Sequence, residues 1–352
     1  MTASLDDAKA VREQDPGAML AAIGALGSHC RDGYANGASA SGLPDLADVR
    51  GVVFCGMGGS AVAGDVLRSV FRDRLGMPVE VNRSPELPEH AGPHSLVVVS
   101  SYSGNTSETL GSFREATKRG CRAIVVTSGG AVAEEAEGAG VPVVRVPGGF
   151  QPRAAVGWLA FTALGALEAA GLLPPLAEDV AEAAGEVEAR AAACGLDTAT
   201  ADNPAKRLAT EIGERVPVIW GAEGIGSAAA ARWKTQFNEN GKVPAWWSSM
   251  SELDHNEVVG WTEPFGSAHT VIALRHEAED PEIAARFPLS LQIAADAGAD
   301  THEVWATGRS ALARLLSLIA LGDFTSTYVA ILKGVDPTPV DVIQRLKAAL
   351  VS

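Results

Sequence analysis

Apolar and polar positions alternate in blocks along the chain, and these blocks predict an α/β fold. Between the strand-like blocks, apolar side chains recur at the spacing of one helix face. Strands that alternate with helices in this way form βαβ units, in which helices cover both faces of a mostly parallel sheet. The predicted strands of the first half are residues 51–55, 79–82, 95–100, 122–127 and 142–146. The predicted helices between them are residues 60–72, 105–118 and 131–138.

A second alternation of the same kind fills the C-terminal half. Residues 153–195, rich in Ala, Leu and Glu, predict helices between the halves, interrupted at Pro174-Pro175. We therefore predict an N-terminal subdomain at 1–152, a helical linker region at 153–200 and a C-terminal subdomain at 201–352. The first begins with a helix at 17–30 and a Gly/Ser/Pro-rich loop at 33–44. The second has predicted strands at 216–220, 270–274 and 302–306 and helices near 224–240, 280–297, 309–332 and 339–350.

Composition narrows the function classes. With 352 residues, 47% hydrophobic and 20% charged, the chain has the profile of a soluble α/β enzyme. The net charge of −15 argues against binding to nucleic acid or to an anionic membrane surface. The first residues carry acids where a signal peptide would carry Lys or Arg, so we expect a cytoplasmic protein. A phosphate ligand would need local dipoles and a few well-placed cations to overcome the repulsive overall field.

Cysteine and histidine spacing predicts neither a disulfide nor a metal site. The four cysteines lie far apart and form no C-x-x-C pair. The seven histidines form no H-E-x-x-H pattern, and Pro88 and Pro93 make a helix carrying His90 and His94 on one face unfavourable. We therefore expect no bound metal.

Two turns rich in Gly and Ser, at residues 55–61 and 100–109, give the first indication of function. Each follows a predicted strand and precedes a predicted helix, where free backbone N–H groups and the positive end of the helix dipole attract anions. The second turn adds a cluster of small hydroxyls, which suits a compact phosphate monoester held by hydrogen bonds. Alternatively, the hydroxyls form an ordinary solvated N-cap. The candidate phosphate-binding residues are Gly58, Gly59, Ser60, Ser101, Ser103 and Thr106.

The first turn also matches G-x-G-x-x-A, the fingerprint of a dinucleotide site. Glu80, at the end of the next predicted strand, stands roughly where a ribose-binding acid would lie. A dinucleotide site, however, has no need of a hydroxyl cluster after a later strand. We therefore favour the phosphate monoester and keep a nicotinamide or flavin site as the alternative.

A polar segment in the second half holds candidate acid–base groups. Glu239 lies between Asn238 and Asn240 at a predicted helix end, where the helix dipole disfavours a carboxylate. His255 follows in a polar turn whose neighbours are able to fix its tautomer. A base and an imidazole near each other suit proton transfer next to a carbonyl. The plain alternatives are a solvated helix-end acid and a loop histidine.

Taken together, these motifs resemble the sugar-isomerase (SIS) fold and, more narrowly, the bifunctional phosphoglucose/phosphomannose isomerases. The Ser-Tyr-Ser-Gly-Asn-Thr run is typical of SIS phosphosugar sites, and the combination of Asn-Glu-Asn with His-Asn-Glu is specific to the narrower family. The motifs that carry the resemblance are Gly58-Gly59-Ser60, Ser101–Thr106, Gln151-Pro152-Arg153, Asn238-Glu239-Asn240, His255-Asn256-Glu257 and Leu332–Pro337.

The resemblance implies an aldose–ketose isomerase that needs no metal or organic cofactor. Glu239 would move a proton between carbons 1 and 2 of a phosphohexose through a cis-enediol intermediate, while Arg153 stabilises the developing negative charge. His255 and Lys333 would assist ring opening. In this family the active histidine comes from the partner subunit, so a homodimer with a shared site is implied. Ser60, Ser101, Ser103 and Thr106 would hold the phosphate.

Two positions depart from the family pattern, and two other function classes stay open. Trp246-Trp247 stands where smaller aromatics are expected, and Asp254 adds a carboxylate able to raise the pKa of the neighbouring imidazole. A non-catalytic SIS module that senses a phosphosugar would need the serine cluster but not Glu239, Arg153, His255 and Lys333 together. The other alternative is an SIS isomerase or etherase acting on a different phosphosugar. Without the resemblance, Arg153 and Lys333 would be taken for surface charges.

Overall fold

Two parallel β-sheets form the framework of the chain, which a computed structural model describes over residues 4–351, without the side chains of Lys347, Leu350 and Val351. Neighbouring strands in both sheets run parallel. The first sheet has the order β2-β1-β3-β4-β5, formed by β1 (Gly51–Cys55), β2 (Val79–Asn82), β3 (Ser95–Ser101), β4 (Arg122–Thr127) and β5 (Val143–Arg145). The second has the order β7-β6-β8-β9, formed by β6 (Val216–Ala222), β7 (Trp246–Met250), β8 (His269–Arg275) and β9 (Asp300–Trp305).

Helices surround and connect the sheets. Short 3-10 helices occupy Pro152–Ala154, Glu252–His255, Glu257–Gly260 and Phe265–Ala268. In the first half and the connecting region, the α-helices are α1 (Ala8–Gln14), α2 (Met19–Gly24), α3 (Leu26–Ala38), α4 (Gly59–Val70), α5 (Ser107–Lys118), α6 (Ala131–Gly138), α7 (Val156–Ala169) and α8 (Ala177–Cys194). In the second half they are α9 (Pro204–Ile212), α10 (Ile225–Glu239), α11 (Pro281–Ala284), α12 (Arg286–Asp296), α13 (Ala311–Leu332) and α14 (Asp341–Val351).

The largest core cluster lies among the helices between the two sheets. The central helix α13 is apolar around most of its circumference, because it packs against α8, α9 and α10. By length and composition α13 resembles a membrane span, but 94% of its apolar window is buried inside the fold. Helices α3 and α7 approach closely through glycines: a Cβ on Gly37 would lie 2.1 Å from the carbonyl oxygen of Thr162.

The predicted α/β fold, with two parallel sheets flanked by helices, is confirmed. The predicted strands of the first sheet all form, and their ends differ from the predicted positions by at most one residue. The predicted loop at 33–44 is partly wrong, because α3 continues to Ala38 and uses its glycines to pack against α7. Strand β7 was not predicted, since an edge strand with two exposed tryptophans lacks the apolar run of a buried strand. The boundaries at 152 and 200 stay predictions.

Candidate active site

The two predicted anion-binding turns lie side by side. Strands β1 and β3 are neighbours, and their carboxyl ends meet at one edge of the sheet. The Ser60 hydroxyl, in the first turn of α4, accepts a hydrogen bond of 3.1 Å from the backbone N–H of Tyr102, which follows β3 directly. Helix α4 begins after Gly58, whose φ of +51° is in the left-handed region that favours glycine. The structure therefore joins the two turns into one candidate anion site.

The hydroxyls of the second turn line the start of α5. Ser101 is buried, and its oxygen accepts from the Gly104 N–H at 3.1 Å and lies 3.4 Å from the Thr106 hydroxyl. Ser103 is exposed. Thr106 caps α5 in an extended conformation without a side-chain bond to the first turn. The first N–H groups of a helix have no acceptor within it, so these donors suit an anion.

The second turn is held in one shape by its surroundings. Gly104 has a φ of +68°, and a Cβ there would lie 1.7 Å from the Gly129 carbonyl oxygen, so a larger residue does not fit. The Tyr102 hydroxyl donates to the Pro147 carbonyl and accepts from the Phe150 N–H, at 3.1 and 2.8 Å. The turn is thereby tied to the chain segment that leads to Arg153.

Removing the hydroxyl cluster is expected to weaken phosphosugar binding. In the variant Ser101→Ala/Ser103→Ala/Thr106→Ala, each hydrogen bond lost to the charged phosphate is expected to reduce the binding free energy by about 1.5–3 kcal/mol. Glucose and mannose phosphates should lose the same binding affinity, because the cluster is expected to contact only the phosphate that they share. Calorimetric titration measures this, with Ser39→Ala as the control, since its hydroxyl bonds to the Asn36 carbonyl away from the site. Unchanged binding, or heat protection by NAD exceeding that by a phosphosugar, would favour the dinucleotide alternative.

Arg153 connects the phosphate turns to Glu239. Its side chain is 2% exposed, and Nε donates to the Asn240 amide oxygen at 2.6 Å. Nη2 donates to the carbonyls of Pro337 and Thr338 at 2.9 and 2.8 Å. Nη1 lies 3.9 Å from Oε2 of Glu239. Burial lowers the pKa of Arg153 and the Glu239 carboxylate opposes that shift, but a guanidinium stays charged. One buried cation therefore faces the predicted base.

The backbone of Arg153 is also held in place by close contacts. A Cβ on Gly59 would lie 2.8 Å from the Pro152 carbonyl oxygen and 3.1 Å from the Arg153 Cα, so the arginine sits directly against the first turn. Arg232 donates to the Arg153 carbonyl at 2.7 Å and pairs with Asp323 at 2.7 Å, both side chains being buried. Burial raises the pKa of Asp323, and Arg232 opposes that shift. No sequence motif indicates the Arg232–Asp323 ion pair. The contact between Arg153 and Asn240, which lies in the second half of the chain, has no motif either.

Glu239 is the last residue of α10, as predicted, and it remains accessible. Its side chain is 28% exposed. It lines a cavity of about 670 Å³ together with residues of α10, of the loop that follows it and of the C-terminal segment. That volume lies within the range of small-molecule sites, about 300–1,000 Å³. The principal other lining residues are Asn238, Lys242, Pro244, Val335, Asp336 and Val340.

The structure does not bring His255 or Lys333 to Glu239 within this chain. His255 is exposed at the end of the 3-10 helix Glu252–His255, and no described hydrogen bond or ion pair joins it to Glu239. The Asp254 carboxylate turns away, accepting from Ser290 at 2.6 Å and pairing with Arg286 at 3.3 Å. Helix α12 therefore engages this carboxylate, and the effect of Asp254 on the neighbouring imidazole stays a prediction.

Lys333 caps the carboxyl end of α13, as its predicted place at a helix end required. Its ammonium lies 3.8 Å from the exposed Glu214 carboxylate. Among the described contacts, the lysine that reaches the Glu239 backbone is Lys242 instead. The role that the resemblance gives to Lys333 stays a prediction.

The strand after the first turn has no acid at its carboxyl end, where a dinucleotide site needs one. Strand β2 ends at Asn82, in agreement with the predicted bounds 79–82, so Glu80 lies inside the strand and not at its end as the dinucleotide alternative requires. The Asn82 amide donates to the carbonyls of Ser84 and Glu86 at 2.9 and 3.0 Å, so its side chain stabilises the loop that follows β2. The Glu80 carboxylate lies 3.6 Å from His90. The carboxyl end of β2 therefore lacks a ribose-binding acid.

No three His, Cys, Asp or Glu side chains in the described part of the chain are grouped so that they could hold a metal ion. The family resemblance implies an isomerase that needs no metal, so any aldose–ketose turnover is expected to survive dialysis against EDTA. Aldose–ketose turnover before and after dialysis, with and without added Zn²⁺, measures this. Activity lost to EDTA and restored by the metal would contradict the prediction.

Both halves of the chain match family models of known proteins. Residues 45–138 match the SIS domain model, and residues 201–350 match the bacterial phospho-glucose isomerase C-terminal SIS domain. The curated bifunctional phosphoglucose/phosphomannose isomerase of Caldicellulosiruptor bescii is 37% identical over 86% of this chain and 90% of that protein. The one from Aquifex aeolicus is 34% identical over 87% and 92%.

A solved structure shows the same fold at lower identity. A glucose-6-phosphate isomerase like protein from Thermus thermophilus superposes with a TM-score of 0.64 and 19% identity, covering 98% of this chain and 99% of that one. The same fold is thus found along essentially the whole chain.

Proposed function

This chain belongs to the bifunctional phosphoglucose/phosphomannose isomerase family, and we propose that it interconverts glucose 6-phosphate, mannose 6-phosphate or both with fructose 6-phosphate. The observation that carries the proposal is the position of Arg153. This buried guanidinium adjoins the first phosphate turn through Gly59 and lies 3.9 Å from the Glu239 carboxylate. This arrangement supports a path that leads from a phosphate anchor past a cation to a base.

The chemistry follows from these three groups. With the phosphate held by Ser60, Ser101, Ser103 and Thr106, the open-chain sugar reaches Glu239 with its first two carbons. Glu239 removes the proton from one carbon and returns it to the other, through a cis-enediol intermediate. Arg153 stabilises the negative charge that develops on the oxygen, and burial strengthens this interaction. His255 and Lys333 are assigned to ring opening by family resemblance.

Local cations make phosphate binding compatible with the acidic chain. The net charge of −15 repels a phosphosugar at long range, so the attraction must come from groups inside the site. The N-terminal ends of α4 and α5 supply donors, and Arg153 supplies a full charge. A phosphosugar-sensing module would use the same turns but would have no need of a cation beside an accessible carboxylate.

We propose further that the enzyme is a homodimer whose sites each receive His255 from the partner. His255 and Asn256 are exposed, and Trp246 and Trp247 on the edge strand β7 are 55% and 40% exposed. Exposed aromatic side chains beside an open sheet edge are typical of protein interfaces. The burial of α13 inside the fold supports a soluble enzyme, and we propose the cytoplasm as its location.

Turnover assays with glucose 6-phosphate, mannose 6-phosphate and fructose 6-phosphate test the proposal. We expect conversion between fructose 6-phosphate and at least one of the aldose phosphates. The product is detected by a coupled enzyme assay. Binding without turnover of any of the three would favour the sensing module. Turnover of a different phosphosugar alone would favour another SIS isomerase.

A further inference from the structure

Lys242 connects the C-terminal end of α10, where Glu239 lies, to the segment of residues 337–339 through hydrogen bonds. It stands three residues after Glu239 with a φ of +53°, an uncommon conformation for a residue other than glycine. Its ammonium donates to the backbone carbonyls of Glu239, Pro337 and Pro339. An ammonium has three donors, and here each has a carbonyl acceptor. Lys242 is therefore not free to transfer a proton to the substrate.

The same segment is held from a second side by Arg153. The Pro337 carbonyl accepts from both Lys242 Nζ and Arg153 Nη2, at 3.0 and 2.9 Å. Arg153 also reaches the Thr338 carbonyl at 2.8 Å. Residues 337–339 thus form a backbone bridge between the two cations. The cavity at Glu239 is also lined by Pro339 of this bridge and by the residues that follow it, up to Ile343.

We propose that Lys242 is a positioning residue for Glu239: by joining the Glu239 carbonyl to the 337–339 bridge, it fixes the carboxylate relative to Arg153 and the substrate. The inference rests on the proposed isomerase function. A misplacement of about 1 Å in a reacting group can cost about 100-fold in rate. Burial and the nearby Arg153 lower the pKa of Lys242, and Asp336 and Glu239 oppose that shift.

A matched lysine elsewhere separates positioning from simple stabilisation. Lys206 is fully buried, whereas Lys242 is partly buried, but the Lys206 ammonium likewise donates to loop carbonyls, those of Leu196 and Thr198, at 2.8 and 2.7 Å. It contacts no residue of the candidate site among the described hydrogen bonds. Replacing either lysine by Met removes the donors and keeps most of the apolar stem. We expect Lys206→Met to lose at least as much stability as Lys242→Met, but only Lys242→Met to lose kcat.

Steady-state kinetics with fructose 6-phosphate tests this inference. We expect Lys242→Met to lower kcat about 10- to 100-fold with KM changed less than about 3-fold, since the phosphate anchor is untouched. Lys206→Met should leave both values near those of the wild type. Hydrogen exchange should rise at residues 336–343 in the Lys242 variant only. If Lys242→Met folds poorly, Lys242→Gln is measured in its place, with the same split expected.

Chemical rescue identifies the N–H donors as the active feature. In Lys242→Ala, ethylammonium should raise kcat several-fold, and tetramethylammonium at the same concentration should not. Unchanged kcat in folded Lys242→Met, equal loss in Lys206→Met, or no difference between the two salts would overturn the inference. Absence of turnover by the wild type with all three phosphosugars would instead refute the proposed function.

Discussion

Glu239→Gln is expected to lower the isomerisation kcat by about 10²- to 10⁴-fold while phosphosugar binding stays close to that of the wild type. The amide keeps the shape of the side chain but cannot accept the proton from the sugar. It also removes the negative charge 3.9 Å from Arg153, whose guanidinium keeps its bonds to Asn240, Pro337 and Thr338. Coupled turnover assays and calorimetric binding of fructose 6-phosphate measure the two effects separately.

A control acid shows whether the effect is specific. Glu188 is also a carboxylate paired with an arginine, Arg31, but this pair lies on the exposed surface between α3 and α8. Glu188→Gln should leave turnover unchanged and reduce stability by at most about 1 kcal/mol. Near-normal turnover of Glu239→Gln would contradict its assignment as the base and support the solvated helix-end alternative.

Mixing two inactive variants should restore activity if the site is shared. A hybrid dimer of Glu239→Gln and His255→Ala contains one intact site, so we expect about half the activity of a wild-type dimer from each hybrid. The physical reason is that the exposed His255 has no described contact with Glu239 inside its own chain. Turnover is measured after the subunits have been dissociated and reassociated together.

The matched control mixes Glu239→Gln with Arg153→Ala. These two residues belong to one site in one chain, 3.9 Å apart, so their hybrids contain no intact site and should stay inactive. Recovery in this control would show that the variants are not fully inactive. If the His255 hybrid also fails to recover, with subunit exchange verified by mass, both residues of a site belong to the same chain.

The regular part of the fold could be predicted from local patterns. Buried parallel strands are continuous apolar runs, as at β3, and the turns after β1 and β3 are marked by glycine and small hydroxyls. Neighbouring strands then place both turns at one edge. Glu239 stood out because a carboxylate is electrostatically misplaced at the end of a helix. These features depend on a few adjacent residues, so the sequence contains them directly.

The contacts that complete the site connect distant parts of the chain. Arg153 meets Asn240 at a separation of 87 residues and Pro337 at 184, and Arg232 meets Asp323 at 91. Such pairs depend on how the helices pack between the two sheets, which periodicity does not specify. The role of Lys242 has no signal in the sequence for the same reason, since its acceptors are backbone carbonyls that no sequence motif marks.

Isomerisation in D₂O tests the central claim, that Glu239 carries the proton between carbons 1 and 2, most directly. With fructose 6-phosphate as substrate, we predict deuterium at carbon 2 of the aldose product, because a proton held by Glu239 exchanges with solvent before it is returned. Mass spectrometry or NMR of the recovered sugar phosphate measures the label, and Glu239→Gln should lose incorporation and turnover in parallel. Turnover with no deuterium at carbon 2 would contradict the account and indicate hydride transfer instead.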